Sequence, residues 1–267
     1  MVKIISNISH EGGSTIILIN LTNLFNSKGI DTTFYGPHDF HIDKCKSKKF
    51  KTLKDIKFKK NDIILTHHVK LDERPNVKRI VLASHEKWWF EVSDCPPYFD
   101  TVVFNHEIHR NYHHKYNGPF VYIPNPKDTN YTLQSIDKPD KEMVAGVIGS
   151  IDPRKQTHLS IQKALDDGCE MVLVYGKVFD VDYYRKYCWR YYFHEKVKFM
   201  DYANTKQDMY NSIGRVYHMS IGEVSCLVKD ECHYTNTKFF GTEQTEHEVS
   251  TLNNDEIFLL WKDVLKF

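Results

Sequence analysis

Paired cysteines are missing. Cys45, Cys95, Cys169, Cys188, Cys226 and Cys232 are scattered over 267 residues, and none forms a CxxC pair. That scatter excludes a cysteine-paired zinc module and a disulfide framework, and it predicts free thiols. Cys226 and Cys232 are close neighbours, but nothing in the sequence completes a metal site around them, so no metal is expected. Long apolar runs are missing too: no stretch reaches the roughly 18 residues that a membrane-spanning helix needs. The first residues, MVKIISNIS, lack the apolar core and cleavage site of a secretory leader. A cytoplasmic location is expected (the host cytoplasm if the chain is viral), with peripheral attachment to a membrane as a variant. Charge of one sign is not in excess either. Lys and Arg number 36 against 35 Asp and Glu, which excludes a polyanion binder by bulk charge. Glycine is sparse at 12 residues, and no GxGxxG appears, so the dinucleotide fingerprint is excluded.

What is present is a regular alternation of strand and helix signals. Residues 2–6 are a short apolar run, followed by a turn containing Gly12 and Gly13. Ile17, Leu21, Leu24 and Phe25 then recur at helical spacing until Gly29, and residues 31–35 read as the next strand. Strand, glycine turn, helix, strand is a βαβ unit and predicts a parallel sheet. The glycine pair lets backbone approach a ligand. Further strands are expected at 63–66, 79–84, 101–104 and 120–123. His67, His68 and His85 follow two of them, at the edge where open parallel sheets bind ligands. Residues 105–116 read as a helix whose His109 and His113 belong to a polar face.

One local charge run stands out. Residues 44–60 hold nine lysines and one acid, Asp55. Lys44, Lys46, Lys48 and Lys49 are candidate contacts for an anionic partner, either nucleic acid or an acidic membrane surface. Trp88 and Trp89 are candidates for an apolar wall against the same partner.

Residues 126–141 are polar and proline-bearing, a linker between a domain at 1–125 and a second at 142–267. The second half restarts the alternation, with strands expected at 144–148, 171–175, 196–200 and 215–219. Its last strand runs into SIGEVSCLVKDECHYT, residues 220–235, which carries Glu223 and Glu231 with seven residues between them. Strand, tight turn and helix point backbone N–H groups and a helix N-terminus at a phosphate. Eight residues at about 100° each bring the second carboxylate back to within roughly 80° of the first. Glu223 at the turn and Glu231 on a helix over 225–234 are expected to face one ligand.

Taken in order, these elements resemble a compact GT-B glycosyltransferase of the large retaining family 4. Gly12-Gly13 resembles that family's N-terminal glycine loop, and the strand ending at His85 its histidine near the donor sugar. YIPNP at 122–126 resembles IPNG, GSIDPRK at 149–155 resembles GRLxxxK, and Glu223 to Glu231 matches E-x7-E. The arginine of the second element is Ser150 here, with Arg154 nearby, and EGFG is EVSC, Glu223 to Cys226. The resemblance implies two Rossmann-like α/β domains facing each other across a cleft. It implies transfer of a sugar from a UDP-, GDP- or ADP-type nucleotide sugar to an acceptor hydroxyl with retention. It requires no cofactor and no metal. Lys155, Arg154, Ser150, Gly176, Val224 and Ser225 would hold the diphosphate, Glu231 the ribose and Glu223 the donor sugar, with His85 nearby. The acceptor would be a glycan, a glycolipid or a hydroxymethylated base in viral DNA. The alternative is a catalytically decayed domain that binds a nucleotide or a partner without turnover. Asp180 and Asp182 form a DxD string that is set aside as coincidence.

Overall fold

The computed structural model describes residues 1–9, 12–85, 98–127, 133–135, 137–201, 203 and 205–267. They form two compact units, one of residues 1–130 with 250–267 and one of residues 131–249. The division differs from the expected one at the C-terminus, because the chain crosses back and its last helix joins the first unit.

The first unit is built on a parallel sheet of seven strands. These are β1 (Val2–Ser6), β2 (Thr32–Gly36), β3 (Ser47–Lys49), β4 (Ile63–His67), β5 (Arg79–Ala83), β6 (Thr101–Phe104) and β7 (Phe120–Tyr122). Their spatial order is β3-β2-β1-β4-β5-β6-β7. The strands read as apolar runs because both faces are covered. Alternate residues sort onto the two faces. Val2, Ile4, Leu65, Val81 and Val103 pack on one side with Leu18, Leu21 and Phe25 of helix α1 (Gly13–Ser27). Ile5, Ile64, Ile80, Leu82, Val102 and Phe104 pack on the other.

The terminal helix, Asn254–Leu265, covers the α1 face. Asn253 caps it by accepting from the N–H groups of Asp255 and Glu256, and Glu256 accepts from the Asn253 N–H in return. Ile257, Trp261 and Leu265 recur every four residues and are buried. Each such burial is worth about 1.5–3 kcal/mol. Phe25 meets Phe258, Trp261 and Phe267 edge-on at 5.8–6.2 Å between ring centres.

The lysine run contains an element that its sequence conceals. Ser47–Lys49 pairs with β2 as an edge strand only three residues long. Short, lysine-bearing edges resist pairing with other chains, which gives the run a structural use. Lys46 pairs with Asp31 and Lys49 with Asp39, while Lys44 sits over the Phe40 ring. Lys48 is exposed.

The second unit has five parallel strands: β8 (Val144–Ile148), β9 (Met171–Tyr175), β10 (Val197–Asp201), β11 (Arg215–His218) and β12 (Lys238–Gly241). Their order is β10-β9-β8-β11-β12. The chain leaves β8 towards β9 on one side and later returns to β11 on the other. The ends of β8 and β11 are therefore a topological switch point, the place where such sheets bind ligands. After α2 (Glu107–Tyr112) of the first unit, the helices here are α3 (Thr157–Asp166), α4 (Lys206–Asn211) and α5 (Leu227–Tyr234).

Candidate active site

Two turns meet at the switch point of the second unit. The first follows β8 and carries Gly149 to Lys155; the second follows β11 and carries Ser220 to Glu223. They are stitched together through Arg154, whose carbonyl accepts from the Ile221 N–H at 3.0 Å and from the Ser220 hydroxyl at 3.2 Å. The Arg154 side chain lies over Gly222, where an added Cβ would stand 2.5 Å from its Cγ. Gly222 therefore lets the two turns close. Asp152 shapes the first turn by accepting from the Lys155 N–H at 2.9 Å and the Ser150 hydroxyl at 2.5 Å.

The centre of the site is Glu223, only 7% exposed. Its Oε1 lies 2.5 Å from Lys155 Nζ, 3.0 Å from His218 Nε2 and 3.8 Å from Arg154 Nη1. Burial alone would raise the carboxyl pKa. The His218 hydrogen bond and the Lys155 charge overcome that and hold it far below the usual carboxylate range. Burial lowers the His218 pKa against the pull of Glu223. The Lys155 side chain, 16% exposed, brings its ammonium against the carboxylate as a counter-charge.

Glu231 sits on α5 with partners of its own. Lys206 of α4 donates to its Oε1, and the buried Tyr210 hydroxyl donates to its Oε2 at 2.8 Å. The helical-wheel reading of the two acids needs correction. The helix begins at Leu227, so Glu223, Val224 and Ser225 belong to the preceding loop. Glu223 is placed by β11 and Glu231 by α5, and no helical face joins them.

Gly176 fills a steric role. It ends β9 at φ 146°, and an added Cβ would stand 1.9 Å from the Gly149 carbonyl oxygen. It allows the turns after β8 and β9 to pack backbone against backbone. Among the sequence candidates, Ser150, Arg154, Lys155, Gly176 and Glu223 thus gather around the two turns.

His218, Lys206 and Tyr210 escaped the sequence reading. His218 ends an apolar strand and the other two lie on a short helix; a polar residue at a strand's C-terminal end was the available signal. Cys226 also gains a neighbourhood that spacing did not show. Its sulfur, His218 and Glu223 offer ligand atoms within 4.8 Å of one another. The residues do not fit a bound cation, because Lys155 already occupies the carboxylate oxygen and burial pushes the Cys226 thiol pKa far up.

The first unit has its own switch point, between β1 and β4. Ser6 Oγ lies 2.9 Å from His67 Nδ1, and the His67 ring lies tilted against those of His68 and His85 at 4.6 and 5.5 Å between ring centres. His85 Nδ1 lies 3.3 Å from Asn105 Nδ2. Gly12 precedes α1 in an extended conformation, with no atom of the described residues within 4 Å of an added Cβ. Gly13 is the first residue of that helix and is exposed. His109 and His113 are buried against Phe104, which corrects their reading as a polar face. Trp88 and Trp89 lie outside the described residues.

Asp180 and Asp182 border a separate cavity of about 460 Å³, also lined by His158, Tyr183, Lys186 and Tyr187. Asp180 caps the helical turn there by accepting from the Tyr183 N–H at 2.8 Å. Neither Glu223 nor Lys155 lines this cavity.

The buried histidines make stability depend on pH. Burial, then the neighbouring His85 and His68, push the His67 pKa well below 6.5, and burial lowers that of His218. A depressed histidine pKa leaves the unfolded chain to take up protons first, so stability is lost as pH falls below about 6.5. Urea unfolding midpoints are expected to decrease steadily from about pH 7.5 to about 5.5. His218→Gln should flatten part of that slope.

No family model and no curated protein matches the sequence. Solved structures do match the fold. Anabaena HepE, in complex with UDP-glucose, is 13% identical, with a TM-score of 0.68 over 100% of this chain and 90% of that one. Sucrose-phosphate synthase from Thermosynechococcus elongatus is 11% identical, with a TM-score of 0.75 over 99% of this chain and 90% of that one. AviGT4, a glycosyltransferase of avilamycin A biosynthesis, is 15% identical, with a TM-score of 0.61 over 91% of this chain and 79% of that one. The fold is GT-B: two parallel-sheet α/β units, as the sequence led one to expect.

Proposed function

We propose that the chain is a glycosyltransferase that moves a sugar from a nucleoside-diphosphate sugar to an acceptor hydroxyl with retention. The observation that carries the reading is the Lys155–Glu223–His218 cluster at the switch point of the second unit. Retaining transfer breaks the bond from the anomeric carbon to the diphosphate and forms a bond to the acceptor oxygen on the same face. Negative charge grows on the leaving diphosphate, so preorganised cations and N–H donors are what the chemistry asks of the protein. Lys155 and the half-exposed Arg154 supply the cations, and the N-terminus of α5 adds N–H donors and its dipole. Glu223, kept ionised and fixed by His218, accepts from a donor-sugar hydroxyl. Glu231, aimed by Lys206 and Tyr210, accepts from the ribose. The leaving phosphate takes the acceptor proton, and the fixed cations make the transfer independent of metal.

For the first unit, the proposal assigns Gly12, Gly13 and His85 to substrate binding at that unit's own switch point. The exposed lysines at 44, 46 and 48 remain proposed contacts for an anionic acceptor. The UDP-glucose complex of HepE favours a uridine nucleotide as the first donor to try. Ligand that binds only the folded chain raises its melting temperature by mass action, by a stabilisation of about 2.7 kcal/mol at a hundredfold excess over Kd. UDP or a UDP-sugar is expected to raise the melting temperature of the native chain and to lose that effect in Glu231→Ala. If no UDP, GDP or ADP ligand shifts the native chain, the proposal fails. A shift without turnover on any acceptor would instead identify a domain that binds nucleotide and has lost catalysis.

A further inference from the structure

Residues 181–193 of the second unit form an irregular helical segment. It runs as a turn at Val181–Tyr183, a π-turn at Tyr184–Cys188 and a 3-10 turn at Trp189–Phe193. Its buried residues are Tyr183, Cys188 and Tyr191, spaced five and then three apart. Those are the repeats of a widened turn and then a tightened one. The tightened turn also eclipses residues three apart, so Trp189 stacks on Tyr192 with ring centres at 5.3 Å and planes at 8°.

The geometry that seats three side chains in the core turns the others outward. Phe193 is 72% exposed, Tyr192 55% and Trp189 47%, and Phe179 just before the segment is 76% exposed. Trp189, Tyr192 and Phe193 form a continuous surface, with Phe193 edge-on to both rings at 5.4 and 5.3 Å. Scattered exposed apolar residues are ordinary, but a contiguous apolar surface marks an interaction site. Cations border it. Arg185, Lys186, Arg190 and Lys198 are all exposed; Glu195 is the sole acid between residues 183 and 198, and Asp180 and Asp182 lie ahead of the segment on the cavity that Lys186 also lines.

We propose that this face docks on an anionic membrane surface. Trp and Tyr carry an apolar body and a polar edge that suit the headgroup level, and Phe193 has no polar group to satisfy in the acyl layer. The basic border complements anionic headgroups, each nearby Lys or Arg adding to the attraction. A protein interface would be depleted of lysine at such a place. Single-stranded nucleic acid needs free ring faces for its bases, and Trp189 and Tyr192 already spend one face each on one another. The site is distinct from the lysine run of the first unit, and the inference does not rest on the donor-site reading.

The full chain should sediment with vesicles of phosphatidylcholine containing phosphatidylserine, poorly with phosphatidylcholine alone, and less as salt is raised. Phe193→Ser removes the most exposed ring of the face and should weaken vesicle binding at least about tenfold. Its melting temperature should stay that of the native chain. Arg185→Gln/Lys198→Gln should remove the preference for the anionic vesicles. Failure of the native chain to bind these vesicles, or equal binding by the phenylalanine variant, overturns the proposal. So does a dimer in sedimentation equilibrium that the variant abolishes, which would make the face a contact between copies. Binding of a single-stranded oligonucleotide with quenching of Trp189 in place of vesicle binding would overturn it too.

Discussion

Lys155→Ala is expected to lower kcat/KM about 10²–10³-fold, the range for removing one preorganised electrostatic stabiliser of a transition state. The Lys155 side chain is 16% exposed and its Nζ bonds Glu223 at 2.5 Å, so its charge is held in place before any ligand arrives. A diphosphate that develops charge at that point meets a cation that needs no reorientation. The variant also strands Glu223, a carboxylate with 8% side-chain exposure whose next nearest cation is Arg154 at 3.8 Å. Loss of activity and loss of stability would then be confused. Glu223→Gln separates them, because a neutral amide still accepts from His218 and leaves no buried charge. The double variant should recover the melting temperature lost in Lys155→Ala while staying inactive, and the excess over additivity measures the pair. If Lys155→Ala retains native kcat/KM at native stability, the charge role assigned to it is wrong.

The strands were legible because buried parallel strands are apolar throughout, and the runs at β1, β4, β5, β6, β8 and β9 stand out against polar turns. β3 was not, since a three-residue edge strand of Ser, Lys and Lys has no pattern to see. The terminal helix showed an apolar face, but an apolar face does not say which core it covers, and Trp261 and Leu265 pack on the first unit. At the site, residues fixed by local chain direction were readable: Lys155 in a turn after a strand, Glu223 after another. His218, Lys206 and Tyr210 were not, because each acts through a partner brought near only by the sheet order or by the approach of α4 to α5. The helical-wheel argument for Glu223 and Glu231 does not apply to this pair, since Glu223 precedes the helix that carries Glu231.

Asp62→Ala should cost the first unit about 3–5 kcal/mol, the penalty for stranding the partner of a buried ion pair. Lys3 occupies β1 between Val2 and Ile4, on the face that Ile5 shares, where an apolar side chain would be expected. Lys3 Nζ bonds Asp62 Oδ2 at 2.5 Å, and the two side chains are 3% and 4% exposed. The same ammonium donates to the Lys57 carbonyl, and Asp62 accepts from the Lys59 N–H at 2.9 Å. The pair therefore ties the loop at 57–62 to β1, an interior strand of the sheet. Removing Asp62 leaves a buried ammonium with the Lys57 carbonyl and the Phe58 ring but no counter-charge from Asp62, so its desolvation goes largely uncompensated. Total stabilities of about 5–15 kcal/mol make such a loss visible as a large drop in the urea midpoint. Lys3→Met/Asp62→Leu should regain most of it, because a well-packed apolar pair avoids the desolvation that the ion pair incurs. If the single variant unfolds at the native midpoint, the pair contributes nothing and the loop must be held by its backbone bonds alone. If the double variant is as unstable as the single one, the cost lies in packing rather than in the stranded charge.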